Sequence, residues 1–305
     1  MRSYAKINLF LHILGKRADN YHELQSIFYF PEIYDELEVI RSDKFELYVA
    51  GEFADKIPQI PKENIIYKTL LELKRLYPEK ITDISVFLTK NLPVAAGIGG
   101  GSANAATTLN VLNELFALEL SKEKLAEIGL KIGADVPSCV YSKPMIVTGV
   151  GEGIELLDGH TENLLSPLSS SLTLKWERGL LGNNFFPKLN ILLINPLKSV
   201  STKQIFEMGF KNYSEEIKIE KNKLFKQEYI FELLHRTKND LQENAIKLCP
   251  EIAEILESLN ATNPIIARMS GSGATCFAIY ETKEKLENAA LQINENLPKY
   301  WVKTA

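Results

Sequence analysis

Apolar and polar residues alternate from Tyr4 to Leu14: Ala5, Ile7, Leu9, Leu11 and Ile13 make one apolar face, and Tyr4, Lys6, Asn8, Phe10 and His12 a mixed one. That period predicts a strand with one face in a core and the other on a surface such as a cleft wall. The runs "NYHELQSIFYF", "DELEVI" and "FELYVA" predict further strands, so the chain begins rich in sheet. In "NIIYKTLLELKRLY" the spacing of Ile65, Leu70, Leu73 and Leu76 predicts a helix with Asn64 as its cap, and "DISVFLTK" returns to strand. A long helix is expected over "ANAATTLNVLNELFAL", and another over 122–132 between a Ser121 cap and Gly133. Pro137 in "GADVP" is expected to turn the chain out of helix.

Later in the chain, "LNILLINP" reads as strand, and "STKQIFEMGF" as a helix with a capping box from Ser201 to Gln204. "LQENAIKLCPEIAEILESL" is helix broken near Pro250, "ATCFAIY" strand and "KEKLENAALQINENL" a closing helix. Between these halves, residues 158–188 turn rich in Ser, Asn and Gly. A domain boundary is expected there: 1–157, a polar connecting insertion at 158–188, and 189–305.

Composition narrows the class. A chain of 305 residues with 45% hydrophobic and 24% charged side chains can bury two cores. A net charge of −4 argues against broad phosphate neutralisation, so no nucleic-acid partner is expected. The stretch "INLFLHILG" imitates a signal peptide, but no small-residue cleavage site follows it and His12 interrupts it. No segment reaches the ~18 apolar residues of a membrane helix, so no membrane partner is expected. Cys139, Cys249 and Cys276 are odd in number and far apart, which fits a reduced cytoplasmic protein and neither a disulfide framework nor a metal site.

The candidate chemistry centres on "GIGGGSANAA", which follows a strand and opens a helix. Glycines let backbone N–H groups approach a phosphate, and a helix N-terminus adds partial positive charge; the alternative is a tight packing turn. It is not a Walker loop, which needs a lysine and then a hydroxyl residue directly after its last glycine, since Gly101 is followed by Ser102, Ala103 and Asn104. It matches a dinucleotide fingerprint only at Gly97 and Gly99, so a nicotinamide oxidoreductase stays a weaker reading.

"NLPVAAGIGGGSANAA" resembles the phosphate-loop motif of the GHMP small-molecule kinases. "AKINLFLHILGKRADNYHELQSIF", "GADVP", "TGVGEGIE", "KNDLQENA" and "MSGSGATCFAIY" follow in the order of one branch of that family, whose acceptor is cytidine diphosphate methylerythritol. The resemblance implies a two-domain α+β GHMP kinase fold with its active site in the interdomain cleft. It also implies transfer of the ATP γ-phosphoryl group to the 2-hydroxyl of that acceptor on the non-mevalonate route to isoprenoid precursors. Another GHMP kinase, for mevalonate, homoserine or a sugar, is the alternative, and a fold that kept binding without turnover a further one.

By the same resemblance Lys6 and Asp135 are the catalytic pair, and Asn8, Tyr21 and His22 contact the acceptor. Pro93, Val94, Ala95, Ala96, Gly97, Ile98, Gly99, Gly100, Gly101 and Ser102 form the ATP loop, with Asn64, Lys90 and Asn104 beside it. Gly271, Ser272 and Gly273 form a second loop near the substrate phosphates. ATP implies Mg²⁺ held largely by nucleotide and water, with no dedicated protein metal site and Ser102 as a candidate ligand. The assembly is expected to be a monomer or homodimer. Ala103 replaces a serine common in this loop. Ser138 and Cys139 stand where the family has bulky aromatics, so a roomier wall beside Asp135 is expected.

Overall fold

The computed structural model describes residues 1–58, 60–157 and 186–305. The expected insertion at 158–188 lies outside them except for its last three residues.

The first sheet has strand order β1-β4-β6-β5, from β1 (Arg2–Tyr4), β4 (Tyr34–Ser42), β6 (Asp83–Thr89) and β5 (Glu46–Ala50), with β5 parallel to β6. Helices α1 (Ile65–Leu76), α2 (Gly100–Leu115) and α3 (Lys122–Leu130) share a core with it, built from Leu37, Leu70, Val86, Leu109 and Ile128 among others. The small residues of α2 follow from that position: Ala103, Ala105, Ala106 and Thr108 are all buried, and larger side chains would hold the neighbours off. A second sheet, order β2-β3-β7-β8, joins β2 (Ile7–Lys16), β3 (His22–Tyr29), β7 (Met145–Gly149) and β8 (Gly153–Leu156).

In the C-terminal half, β9 (Asn190–Asn195), β10 (Ile266–Met269), β11 (Cys276–Tyr280) and β12 (Trp301–Thr304) form an antiparallel sheet of order β10-β11-β9-β12. Around it lie α5 (Thr202–Glu207), α6 (Gln227–His235), α7 (Gln242–Leu248), α8 (Glu251–Asn260) and α9 (Lys283–Asn296). The α7/α8 break falls at Pro250 as expected.

The structure departs from the sequence pattern at two places that matter for the site. The alternation at 4–14 is not one half-exposed strand: β1 ends at Tyr4, β2 starts at Ile7, and Lys6, Asn8, Phe10 and His12 are buried like the opposite face. The reason is tertiary. Leu11 N–H bonds to the Lys238 carbonyl and Asp240 N–H to the Leu11 carbonyl, so β2 faces the C-terminal half along its free edge. Nor does "GADVP" leave helix: a short helix α4 (Val136–Tyr141) starts there with Pro137 in its first turn, where proline's missing N–H costs nothing. β7, β8, β10, β12 and α6 were not read from the pattern.

Candidate active site

A cleft of about 630 Å³ runs between the halves. Lys6, Asn8, Asn64, Lys90, Pro93, Val94, Ala95, Ala96, Gly97, Gly99, Gly100, Gly101, Ser102, Asn104, Asp135, Gly271, Ser272 and Gly273 all line it. Residues far apart in sequence and chosen for one chemistry therefore meet at one place.

The glycine loop is fixed before it meets any ligand. Lys6 N–H bonds to the Ile98 carbonyl at 2.9 Å, and Thr275 donates to the Ala96 carbonyl from Oγ1 at 2.7 Å. Gly97 has φ +74°, and a Cβ there would stand 2.3 Å from the Gly273 carbonyl oxygen, so the two glycine loops meet backbone to backbone. Gly99, also left-handed, caps α2 without a side-chain bond, leaving first-turn N–H groups available to an anion. Ile98 is an exception among the loop residues: it is fully buried in the core and does not line the cleft.

Lys6 and Asp135 form the charged pair. The Lys6 ammonium lies 3.4 Å from Asp135 Oδ2, donates to Asn8 Oδ1 at 3.1 Å and sits 4.3 Å over the Phe28 ring. The lysine side chain is 5% exposed and the aspartate side chain 44%, so a buried cation backs a carboxylate open to the cleft. Asn8 is held in turn: its N–H bonds to Ser270 Oγ and its Nδ2 to Ser26 Oγ. The serine and cysteine after Pro137 do not widen this wall. Ser138 and Cys139 are buried outside the cleft, Ser138 bonding the Asp135 carbonyl, and desolvation pushes the Cys139 thiol up to about 12.

Two nucleotide candidates have structural work of their own. Asn64 caps α1 by accepting from Ile66 N–H at 2.8 Å. The Lys90 ammonium is spent beneath the loop on Asp35 at 2.6 Å and on the Leu92 carbonyl at 2.7 Å. Asn104 differs: the residue lines the cleft, and its Oδ1 is buried without a hydrogen-bond partner among the described residues. Among the described residues no cluster of three or more His, Cys, Asp or Glu is arranged to hold a metal ion.

Tyr21 and His22 stand outside the cleft lining. Tyr21 is exposed, while the His22 ring packs 4.9 Å from Phe206, which does line the cleft, and 5.4 Å from Phe210. Burial first, then the nearby Lys16 charge, lowers the His22 pKa. Phe206 was not picked out from the sequence, where it reads as one more apolar residue of α5.

Residues 64–143 match the GHMP kinases N terminal domain and residues 224–299 the GHMP kinases C terminal domain. The 4-diphosphocytidyl-2-C-methyl-D-erythritol kinases of Chelativorans sp. (strain BNC1) and Bartonella henselae are each 34% identical, over 300 and 302 residues, which is 98% of this chain and 92% and 91% of theirs. The chain belongs to that kinase family. A crystal structure of 4-(cytidine 5'-diphospho)-2C-methyl-D-erythritol kinase matches the kinase at a TM-score of 0.73 and 24% identity, over 100% of this chain and 98% of that one. L. major mevalonate kinase in complex with R-mevalonate matches at a TM-score of 0.66 and 14% identity, over 100% and 94%. These likenesses show the fold, the two-domain α+β GHMP arrangement with its cleft between the halves. No helix among the described residues is long and apolar enough to cross a membrane.

Proposed function

We propose that the kinase transfers the γ-phosphoryl group of ATP to the 2-hydroxyl of 4-diphosphocytidyl-2-C-methyl-D-erythritol, on the non-mevalonate route to isoprenoid precursors. The observation that carries the mechanism is the Lys6–Asp135 pair at 3.4 Å in the wall that also holds both glycine loops. Phosphoryl transfer needs alignment and charge neutralisation more than covalent help from the protein. Asp135, open to the cleft, orients the acceptor hydroxyl or takes its proton. Lys6, held by Asn8 and Phe28, supplies positive charge that water screens little at a buried position.

The N–H groups at the start of α2 and of the 97–102 loop receive the ATP phosphates, and Gly271 to Gly273 close on the acceptor side. Mg²⁺ would arrive with the nucleotide and would supply positive charge against its phosphates. The orphaned Asn104 Oδ1 and the Ser102 hydroxyl fit such an ion, which takes few protein oxygens when phosphate and water supply the rest. The cytosine end belongs to Tyr21, His22 and Phe206, which offer aromatic faces and an imidazole. Three buried, unbridged cysteines support a cytoplasmic setting.

The test is ATP consumption with Mg²⁺ and 4-diphosphocytidyl-2-C-methyl-D-erythritol, with mevalonate, homoserine and galactose in parallel and the product mass confirmed. Turnover confined to the cytidine ester is expected. Lys6→Ala and Asp135→Asn should each lose about 10²-fold or more in kcat while still binding ATP. Near-normal turnover in both would overturn the mechanism, and turnover on another alcohol the substrate.

A further inference from the structure

Residues 210–220 contain no helix or strand, so their backbone groups need partners from elsewhere. Three buried polar side chains supply or support them. His12 and Gln25 face each other across β2 and β3 and are 4% and 3% exposed. His12 Nε2 accepts from Lys238 N–H, which leaves its proton on Nδ1 to donate to the Glu215 carbonyl; both distances are 3.2 Å. Gln25 makes two bonds to one residue, donating to the Ile217 carbonyl at 2.9 Å and accepting from Ile217 N–H at 2.8 Å. Asp240 accepts from Ile13 N–H at 2.7 Å and from Ser214 Oγ at 3.0 Å, while Ser214 N–H bonds to the Ile13 carbonyl.

Burying polar groups is costly unless each is bonded, and apolar side chains would fill the same space without that demand. What this arrangement adds is a fixed position for the segment. Tyr213 directly precedes the first anchor, and its ring lies 6.4 Å from His22 and 6.3 Å from Phe210. Phe206, Phe210 and Tyr213 thus surround the imidazole on sides that β3 does not supply. We propose that His12, Gln25 and Asp240 are positioning residues that strap 213–217 to β2 and β3, so that Phe210 and Tyr213 complete the wall for the acceptor's pyrimidine base. The proposal rests on the cytidine reading of the acceptor. It adds residues from a segment with no regular structure, held by side chains that touch no substrate.

The experiment uses Gln25→Met, which removes both bonds to Ile217 at nearly constant volume, together with Ser214→Ala at a half-buried position and Tyr213→Ala at an exposed one. Steady-state kinetics are measured for the cytidine ester and for ATP, CDP affinity by titration, and Ile217 amide protection by hydrogen exchange. In Gln25→Met, Ile217 exchange speeds up, and the KM for the ester and the Kd for CDP rise about five- to tenfold, the size set by two lost hydrogen bonds. Tyr213→Ala raises both constants without changing Ile217 exchange, and Ser214→Ala raises them about twofold. In all three, kcat and the KM for ATP stay within about twofold, a split that a merely structural role would not produce. Faster Ile217 exchange with unchanged CDP affinity, or an equal loss in every kinetic constant, overturns the strap. If Gln25→Met does not fold, Tyr213→Ala decides, and unchanged CDP affinity there overturns the proposal. Wild-type protein that neither phosphorylates the ester nor binds CDP overturns the cytidine reading and the strap's role with it, whereas wild-type binding beside unaffected variants overturns the strap alone.

Discussion

Lys6 and Lys90 are both buried lysines lining one cleft, and their partners separate them. Lys6 meets a carboxylate open to solvent, so its charge is shared with whatever enters. Lys90 meets Asp35, which is fully buried and also accepts from Asn91 N–H and Leu92 N–H through Oδ1. Burial lowers the Lys90 pKa even against the upward pull of Asp35. The pair therefore acts as a fastening under the phosphate loop. Asp35→Ala leaves the Lys90 ammonium buried without its counter-ion, with only the Leu92 carbonyl to bond, and takes the acceptor from the Asn91 and Leu92 amides, and should cost about 3–5 kcal/mol in urea unfolding. Arg2→Ala breaks the half-exposed, solvent-screened pair with Glu32 and should leave the urea midpoint nearly unchanged in the same measurement. Nothing local in the sequence joins Lys90 to Asp35: one ends an apolar run, the other starts one 55 residues earlier, and each reads as an ordinary strand-end charge. Lys90 is placed beside nucleotide by the family resemblance alone, and nothing local in the sequence reveals the fastening.

At the scale of elements, the strand, glycine loop and helix were legible because their signals are consecutive in the chain. The docking of the two glycine loops was not, because Gly97 and Gly273 lie in different halves. Some glycines in "GIGGGS" serve that docking and others serve approach to a ligand, and substitution separates them. At Gly97 a methyl group would meet the Gly273 carbonyl at 2.3 Å in a left-handed conformation, so Gly97→Ala should lower both stability and turnover. At Gly101 no atom lies within 4 Å of the added methyl, and the residue is in the first turn of α2. Gly101→Ala should therefore keep or raise stability, by up to about 1 kcal/mol of helix propensity, and with it the melting temperature, while raising the KM for ATP. Thermal melting and ATP kinetics on the two proteins check this; a Gly101→Ala enzyme with an unchanged KM for ATP would remove that glycine from the phosphate site. The short helix after Asp135 shows the same limit. Pro137 signalled a break in the chain, but a helix begins there, with Val136 packed so closely on Gly129 of α3 that an added Cβ would come within 2.8 Å of it, a contact between elements that the local sequence does not carry.

Across the whole molecule, β2 belongs to both halves, which the alternation at 4–14 could not reveal because it records one strand's faces and not its second edge. On one side β2 pairs with β3, and on the other it meets Lys238 and Asp240. Arg268 reinforces the joint: its buried guanidinium bonds the Leu9, Leu234 and Thr237 carbonyls, and desolvation brings its pKa down to about 10, still protonated at neutral pH. His12 sits in the same joint as a neutral group, bonded on both nitrogens. Burial lowers its pKa below the ordinary 6.5; Lys238 and Arg268 push the same way, against the Glu215 carbonyl and Asp240. Between that lowered folded value and 6.5 the unfolded chain binds a proton that the folded chain lacks, so stability rises with pH through this window and levels off above it. His22, also lowered, adds in the same direction. The midpoint of urea unfolding should fall as pH is taken from about 7.5 to about 5, and His12→Asn should reduce the slope without abolishing it, since His22 remains. A slope that His12→Asn leaves intact would move the acid sensitivity away from the joint between the halves.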